Sequence, residues 1–309
     1  MIDFALLCLP IFGVVGLGWV AARARLATPG VCDALGAFSF RFELPALVFR
    51  MISGQPLDRS FNVLFYGGYL GSGCLIFALV FGLSHLLGRQ STAAAGAHAT
   101  TTTVSNLGFL GPPLATAFFG ERSAGPLAMA ILAEVMVLLS LGGAIMGASR
   151  GSGAGITSHV IRGTALNPVV AAIVLGAAFA ATGIATPSPI DRFLVFLGGS
   201  AGPTALFAVG GALAMQRIDR TTATVAAGLT AGKLIAYPLL VWYLFAQLLR
   251  LESIWVQVAV LLASMPSAGS NYVLAQRYAA DDDQVSAAIV LSTVVSVVTV
   301  PIAAWLVRH

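Results

Sequence analysis

The chain has 309 residues, of which 58% are hydrophobic and 9% charged. That composition cannot clothe a water-soluble globule in polar groups, so it points to a membrane protein. The formal net charge of +4 comes from too few charges to speak for nucleic acid, no basic patch interleaved with aromatics is present, and no nucleic-acid partner is expected.

A bilayer-spanning helix needs about 20 apolar residues. Charges, glycines and prolines delimit ten such stretches, at 3–22, 33–54, 62–87, 93–119, 125–148, 166–184, 191–215, 222–249, 254–279 and 284–307. The first has the apolar length of a secretion signal, but Asp3 replaces the basic leader residues, and the segment is kept as a span. The second carries Arg41 and Glu43 just before Pro45; these are either functional or an ion pair near a helix end. The fourth contains NLGFLGPPLATAFFG (106–120), whose Gly108, Gly111, Pro112 and Pro113 break the helix. Glu134 lies in the middle of the fifth and Lys233 in the middle of the eighth. A buried carboxyl there either exchanges protons or holds a fixed basic partner. His98 is a further ionisable group inside a span. Between the fifth and sixth, 149–161 has the Gly/Ser composition of a linker. The ninth contains SMPSAGSNYVLAQRY (264–278), with its own Pro266 and Gly269. Asp281, Asp282 and Asp283 then read as a solvated turn, because consecutive acids do not converge on one ion. Cys8, Cys32 and Cys74 have neither metal-ligand spacing nor a CxxC pair and read as packing residues.

Shifting the sequence by 158 positions superposes Pro10 on Pro168, Leu17-Gly18 on Leu175-Gly176, Thr28-Pro29 on Thr186-Pro187, Asp33 on Asp191, Pro45 on Pro203, Phe49 on Phe207 and Gly111 on Gly269. The chain is therefore expected to be all α-helical, as a five-span repeat at 1–148, a linker at 149–161 and a second repeat at 162–309. An odd number of spans inverts the second half. Secondary transporters are built this way, with sites at the midplane formed by broken helices in corresponding positions. Backbone broken at membrane depth is tolerated where it faces protein or a watery cavity, so the fourth and ninth spans are expected to cross there.

Pro112 and Pro113 suit the first turn of a new half-helix, and the amides from Leu114 onward would turn their positive end into the site. Ser270 is a candidate cap for the half-helix after Gly269. Asn106 and Asn271 add amides able to bind a carboxylate without a buried cation. The expected substrate is thus an anion, held around Asn106, Gly108, Gly111, Pro112, Pro113, Leu114, Pro266, Ser267, Gly269, Ser270, Asn271 and Tyr272. Glu134, Glu43 and Lys233 are candidates for proton coupling.

FELPALVFRMI (42–52), SNLGFLGPPLATAFFG (105–120) and SNYVLAQRYAADDDQVSAAIVLSTVVSVVTVP (270–301) resemble the auxin efflux carrier family, grouped with the bile acid–sodium symporters in a wider superfamily. The resemblance implies an elevator-like fold in which scaffold and transport subdomains are interleaved across both repeats, crossover prolines at Pro112 or Pro113 and at Pro266, and a substrate-binding Asn at Asn106. It also implies a homodimer through the scaffold. The short connector matches bacterial members, associated with small dicarboxylates such as malate or malonate, and places the chain in a bacterial inner membrane.

Enzyme function is not expected: there is no GxSxG, P-loop, HExxH or metal-spaced Cys/His cluster. No cofactor or metal is expected beyond H+ or Na+ as a coupling ion. A dianion entering a low-dielectric site needs a compensating cation, a proton or the membrane potential, and a proton-linked or potential-driven carrier is the favoured reading. The alternatives are a sodium-coupled symporter of larger amphipathic anions, for which Thr102, Thr103, Ser105, Ser267 and Ser270 could supply oxygen ligands, and a receptor that does not transport. With the N-terminus outside, Arg23, Arg25, Arg89, Arg150, Arg162, Arg217, Arg220 and Arg277 fall in the cytoplasm, against Arg59, Arg122, Arg192, Arg250 and Arg308 outside and Arg50 undecided. Both termini are therefore expected in the periplasm.

Overall fold

A computed structural model describes residues 2–55, 61–149, 167–215 and 220–308. Among these residues the structure is helical, with one isolated antiparallel pairing, Ser105 with Ser267, and no strand. Six helices are long and apolar enough to cross a membrane: Leu6–Arg23, Val63–Leu87, Gly111–Ala148, Ser188–Met215, Thr222–Leu248 and Asp282–Leu306. Pro168–Ala181 and Ser253–Ala263 are shorter apolar helices. The connector expected at 149–161 lies outside the described residues apart from Ser149, as does the start of the stretch expected at 166–184.

The second, fourth and ninth expected spans are not simple helices. The second runs as Pro29–Phe38, a wide π turn at Ser39–Glu43, and Leu44–Ser53, the wide turn falling where Pro45 supplies no amide to the turn before it. The fourth stops at Thr103 and restarts at Gly111. The ninth stops at Ala263 and restarts at Gly269.

The chain forms two compact units, each drawn from several segments. One comprises Met1–Asn62, Leu107–Met129 and Leu166–Gln216. In it Ile2–Arg23 packs closely on Ala201–Met215, because glycines let the backbones approach as they do in membrane bundles generally. A Cβ on Gly18 would collide with the Phe207 carbonyl, and one on Gly210 with that of Val15. Leu44–Ser53 packs on Pro168–Ala181, where a Cβ on Gly176 would stand 3.1 Å from the Phe49 carbonyl. Arg50 and Asp191 form an ion pair at 2.8 Å.

The other unit comprises Val63–Asn106, Ala130–Ala165 and Arg217–His309. The Thr92–Thr103 helix is buried from Ala93 onward. Its threonine hydroxyls donate to carbonyls one turn back, Thr100 to Gly96 and Thr101 to Ala97 at 2.7 Å each, so four polar side chains are satisfied inside the bundle. The acids at 281–283 are more than a solvated turn: Asp282 and Asp283 occupy the first turn of the last helix, where negative charge is favoured. Asp281 meets buried His98 at 3.0 Å.

Candidate functional site: two broken helices joined

In the second unit the two chain breaks are hydrogen-bonded to each other. Asn106 N–H donates to the Pro266 carbonyl at 2.8 Å and Ala268 N–H to the Val104 carbonyl at 3.1 Å. The backbone that each helix leaves unpaired is thus partly satisfied by the other, as a low-dielectric interior demands. Ser267 secures the register, its hydroxyl donating to the Thr101 carbonyl at 2.7 Å and its amide to Ser292 Oγ at 3.2 Å.

A buried polar network lies on the first break. Glu134 is 1% exposed and Lys233 0%. Glu134 accepts the Ser105 amide at 2.7 Å, and the Ser105 and Tyr69 hydroxyls at 2.8 Å each. The Lys233 ammonium donates to Ser105 Oγ at 2.7 Å and to the Ala263 carbonyl at 2.8 Å, and sits 4.6 Å from the centre of the Tyr237 ring. Ala263 ends the helix before the second break, and the negative end of a helix suits a cation. Lys233 therefore fastens one break to the other, with Ser105 relaying its charge to Glu134.

Asn271, 2% exposed, donates from Nδ2 to the Val104 carbonyl at 3.1 Å, while its Oδ1 has no partner among the described residues. Asn106 is also buried, next in the chain to Ser105, which pairs with Ser267. The Gly269–Arg277 helix is capped by Ala268 backbone and not, as expected, by Ser270, which lies within the first turn with an exposed side chain. Gly269 and Ser270 are both exposed, and their amides belong to the helix end that has no intrahelical acceptors. Tyr272 is half-buried, and its hydroxyl accepts from Gln276 at 3.2 Å.

Gly108, Gly111, Pro112, Pro113 and Leu114 belong to the first unit. Helix Gly111–Phe119 does start with the two prolines in its first turn. However, the Leu114 amide is already spent on the Leu110 carbonyl at 3.2 Å, and prolines have no amide to give, so this helix start offers an anion few donors beyond Gly111. Glu43 also lies in the first unit, with no ion pair to Arg41 among the described residues. Cys8 and Cys32 are buried free thiols and Cys74 is half-buried. Sequence reasoning missed the roles of Tyr69, Tyr237 and the Ala263 carbonyl, and gave Ser105 only as an oxygen ligand. The one available signal was the Ser-Asn pair that recurs at 105–106 and 270–271.

Residues 5–304 match the family described as "Membrane transport protein". The chain is 32% identical to a Rhizobium meliloti protein named "Putative malonate transporter", over 100% of this chain and 97% of that one. It is 25% identical to the Escherichia coli transporter YfdV over 95% of this chain and 94% of that one. It is 26% identical to the mouse lysosomal cholesterol signaling protein over 96% of this chain but only 36% of that protein. With six helices able to cross a bilayer and a family match along nearly its whole length, the chain is an integral membrane protein of the auxin efflux carrier family, a family of membrane transporters and not of enzymes.

Proposed function

We propose that the protein is a secondary carrier of small organic anions, malonate or malate being the leading candidates, working by elevator-type alternating access. The observation that carries this reading is the pairing of the two breaks. It gathers Asn106, Asn271 and the helix-start amides of the exposed residues Gly269 and Ser270 in one unit, while the cation of the network, Lys233, is consumed by Ser105 and Ala263. A ligand there meets amides and a helix start, which suits a carboxylate. Asn271 Oδ1 is an acceptor and asks the ligand for a donor, such as the hydroxyl of malate or the protonated carboxyl of a monoanion. A substrate carrying its own proton fits a proton-linked carrier, and the name of the Rhizobium meliloti relative supports malonate.

Ten spans in two inverted repeats are part of the proposal. The half-helices after the breaks begin at Gly111 and Gly269, 158 positions apart, and each has nine residues. The same shift maps Glu134 onto Ser292, which take the amides of Ser105 and Ser267 respectively. It also exchanges the close contacts Gly18 with Phe207 and Gly176 with Phe49. The unit holding the paired breaks is then the transport domain and the other the scaffold, through which a homodimer would form, in a bacterial inner membrane with periplasmic termini.

Titration calorimetry on the purified protein with malate, malonate, indole-3-acetate and a bile acid tests the substrate class. Saturable heat with the dicarboxylates supports the proposal; binding of the bile acid alone replaces it with the amphipathic-anion symporter. For coupling, uptake into proteoliposomes is expected under a pH gradient and not under a sodium gradient alone. Glu134→Gln that keeps full pH-driven uptake would make Glu134 a fixed partner of Lys233 and remove it from proton exchange.

A further inference from the structure

Among the described residues two carboxylates are buried, Glu134 and Glu43, and they are compensated very differently. Glu134 has three donors and a lysine one hydroxyl away. Glu43, 2% exposed at the end of the wide turn Ser39–Glu43, accepts two hydroxyls among the described residues, both on Oε1: Ser200 at 2.6 Å and Thr204 at 3.2 Å. Its Oε2 is buried and has no partner among the described residues.

Nothing in the surrounding elements makes up the charge. Pro29–Phe38 contributes Cys32 and Asp33, the turn itself Arg41, Leu44–Ser53 contributes Arg50, and Ser188–Gly199 contributes Asp191 and Arg192. Arg50 is bound to Asp191, and no Lys or Arg stands within ion-pair distance of Glu43 among the described residues. Pro168–Ala181 and Ala201–Met215 carry no charged side chain. The helix Ala201–Met215 starts nearby, but none of its amides reaches Oε2, and its third residue is Pro203.

We propose that Glu43, Ser200 and Thr204 form a binding site for a monovalent metal cation inside the first unit. The Ser200 hydroxyl lies 2.7 Å from the Leu197 carbonyl as well as 2.6 Å from Glu43, so turning its hydrogen to Leu197 frees its lone pairs. Oxygen ligands then gather from both carboxylate oxygens, Ser200 Oγ and Thr204 Oγ1, the donor set that hard cations take. Leu197 is in the last turn of Ser188–Gly199, whose negative end adds to the attraction. One carboxylate with hydroxyls suits a single positive charge, whereas divalent sites collect further carboxylates or waters. The site goes beyond the transport reading: it compensates Glu43 whether or not the cation travels.

Thermal unfolding of the purified full chain, with Li+, Na+ or K+ exchanged for N-methylglucamine at constant ionic strength, tests it. The wild type is expected to gain stability saturably with at least one of these cations. Glu43→Gln should lose that response while keeping its stabilisation by malonate, which reads the carboxylate site separately. Thr204→Val should shift the half-saturating cation concentration up about tenfold, the equivalent of one lost ligand contact, and serves if Glu43→Gln fails to fold. A wild type indifferent to all three cations, or a Glu43→Gln or Thr204→Val protein responding like wild type, overturns the proposal.

Discussion

Lys233 and Asn271 are the side chains on which the proposed site rests most heavily. Truncating Lys233 to Met leaves Glu134 buried without its cation and the Ala263 carbonyl without its donor. Loss of about 3–5 kcal/mol is expected, the usual cost of breaking a buried pair from one side. The double variant Lys233→Met with Glu134→Leu should recover much of that loss, and chemical unfolding of the three proteins in detergent checks it. Asn271→Ala removes an amide from the break and should weaken malonate binding by about 1–3 kcal/mol, the scale of a hydrogen bond to a charged group, with folding preserved. Unchanged affinity by calorimetry removes Asn271 from the site. Glu134 and Lys233 were legible in the sequence as lone charges within apolar runs. Their connection was not, since Ser105 lies 29 positions from Glu134 and 128 from Lys233, and local pattern carries no information about such pairs.

Among the elements, the breaks were the most legible feature, because proline and glycine act on their own turn. The two half-helices after the breaks start at Gly111 and Gly269, both foreseen as break positions. Cap chemistry was less legible: Ser270 has the right residue type, yet the chain turns one residue pair earlier, at Ala268. Of the wide turns, Ser39–Glu43 was signalled by Pro45 and Gly232–Ala236 is followed in the same way by Pro238, whereas Leu132–Leu138 has no proline after it; the last two carry Lys233 and Glu134. Helix packing was visible only as an excess of glycine. Gly18→Ala should destabilise the first unit by about 1–3 kcal/mol through overpacking against the Phe207 carbonyl. Gly13→Ala on the same helix, with nothing within 4 Å of the added carbon, should be nearly neutral. Comparing their unfolding temperatures tests whether this contact sets the helix spacing.

For the molecule as a whole, composition alone identified the solvent, and the 158-residue shift suggested how the chain is organised. What the sequence left open is the division into two units, because each is assembled from separated segments and the boundary at Asn106 and Leu107 falls within a single expected span. Arginine placement predicts both ends of the chain in the periplasm. A cysteine placed at His309 should react with an impermeant reagent in right-side-out vesicles and be protected in inverted ones; the reverse pattern would invert the topology. We propose that the joined breaks bind a small dicarboxylate, which the protein then moves across the bilayer. Counterflow of radiolabelled malonate into proteoliposomes loaded with unlabelled malonate tests it most directly. Transient accumulation of label by the wild type, with a clearly higher malonate requirement in Asn271→Ala, is the expected result. Label no higher than in protein-free liposomes, or identical concentration dependence in the two proteins, would contradict the account.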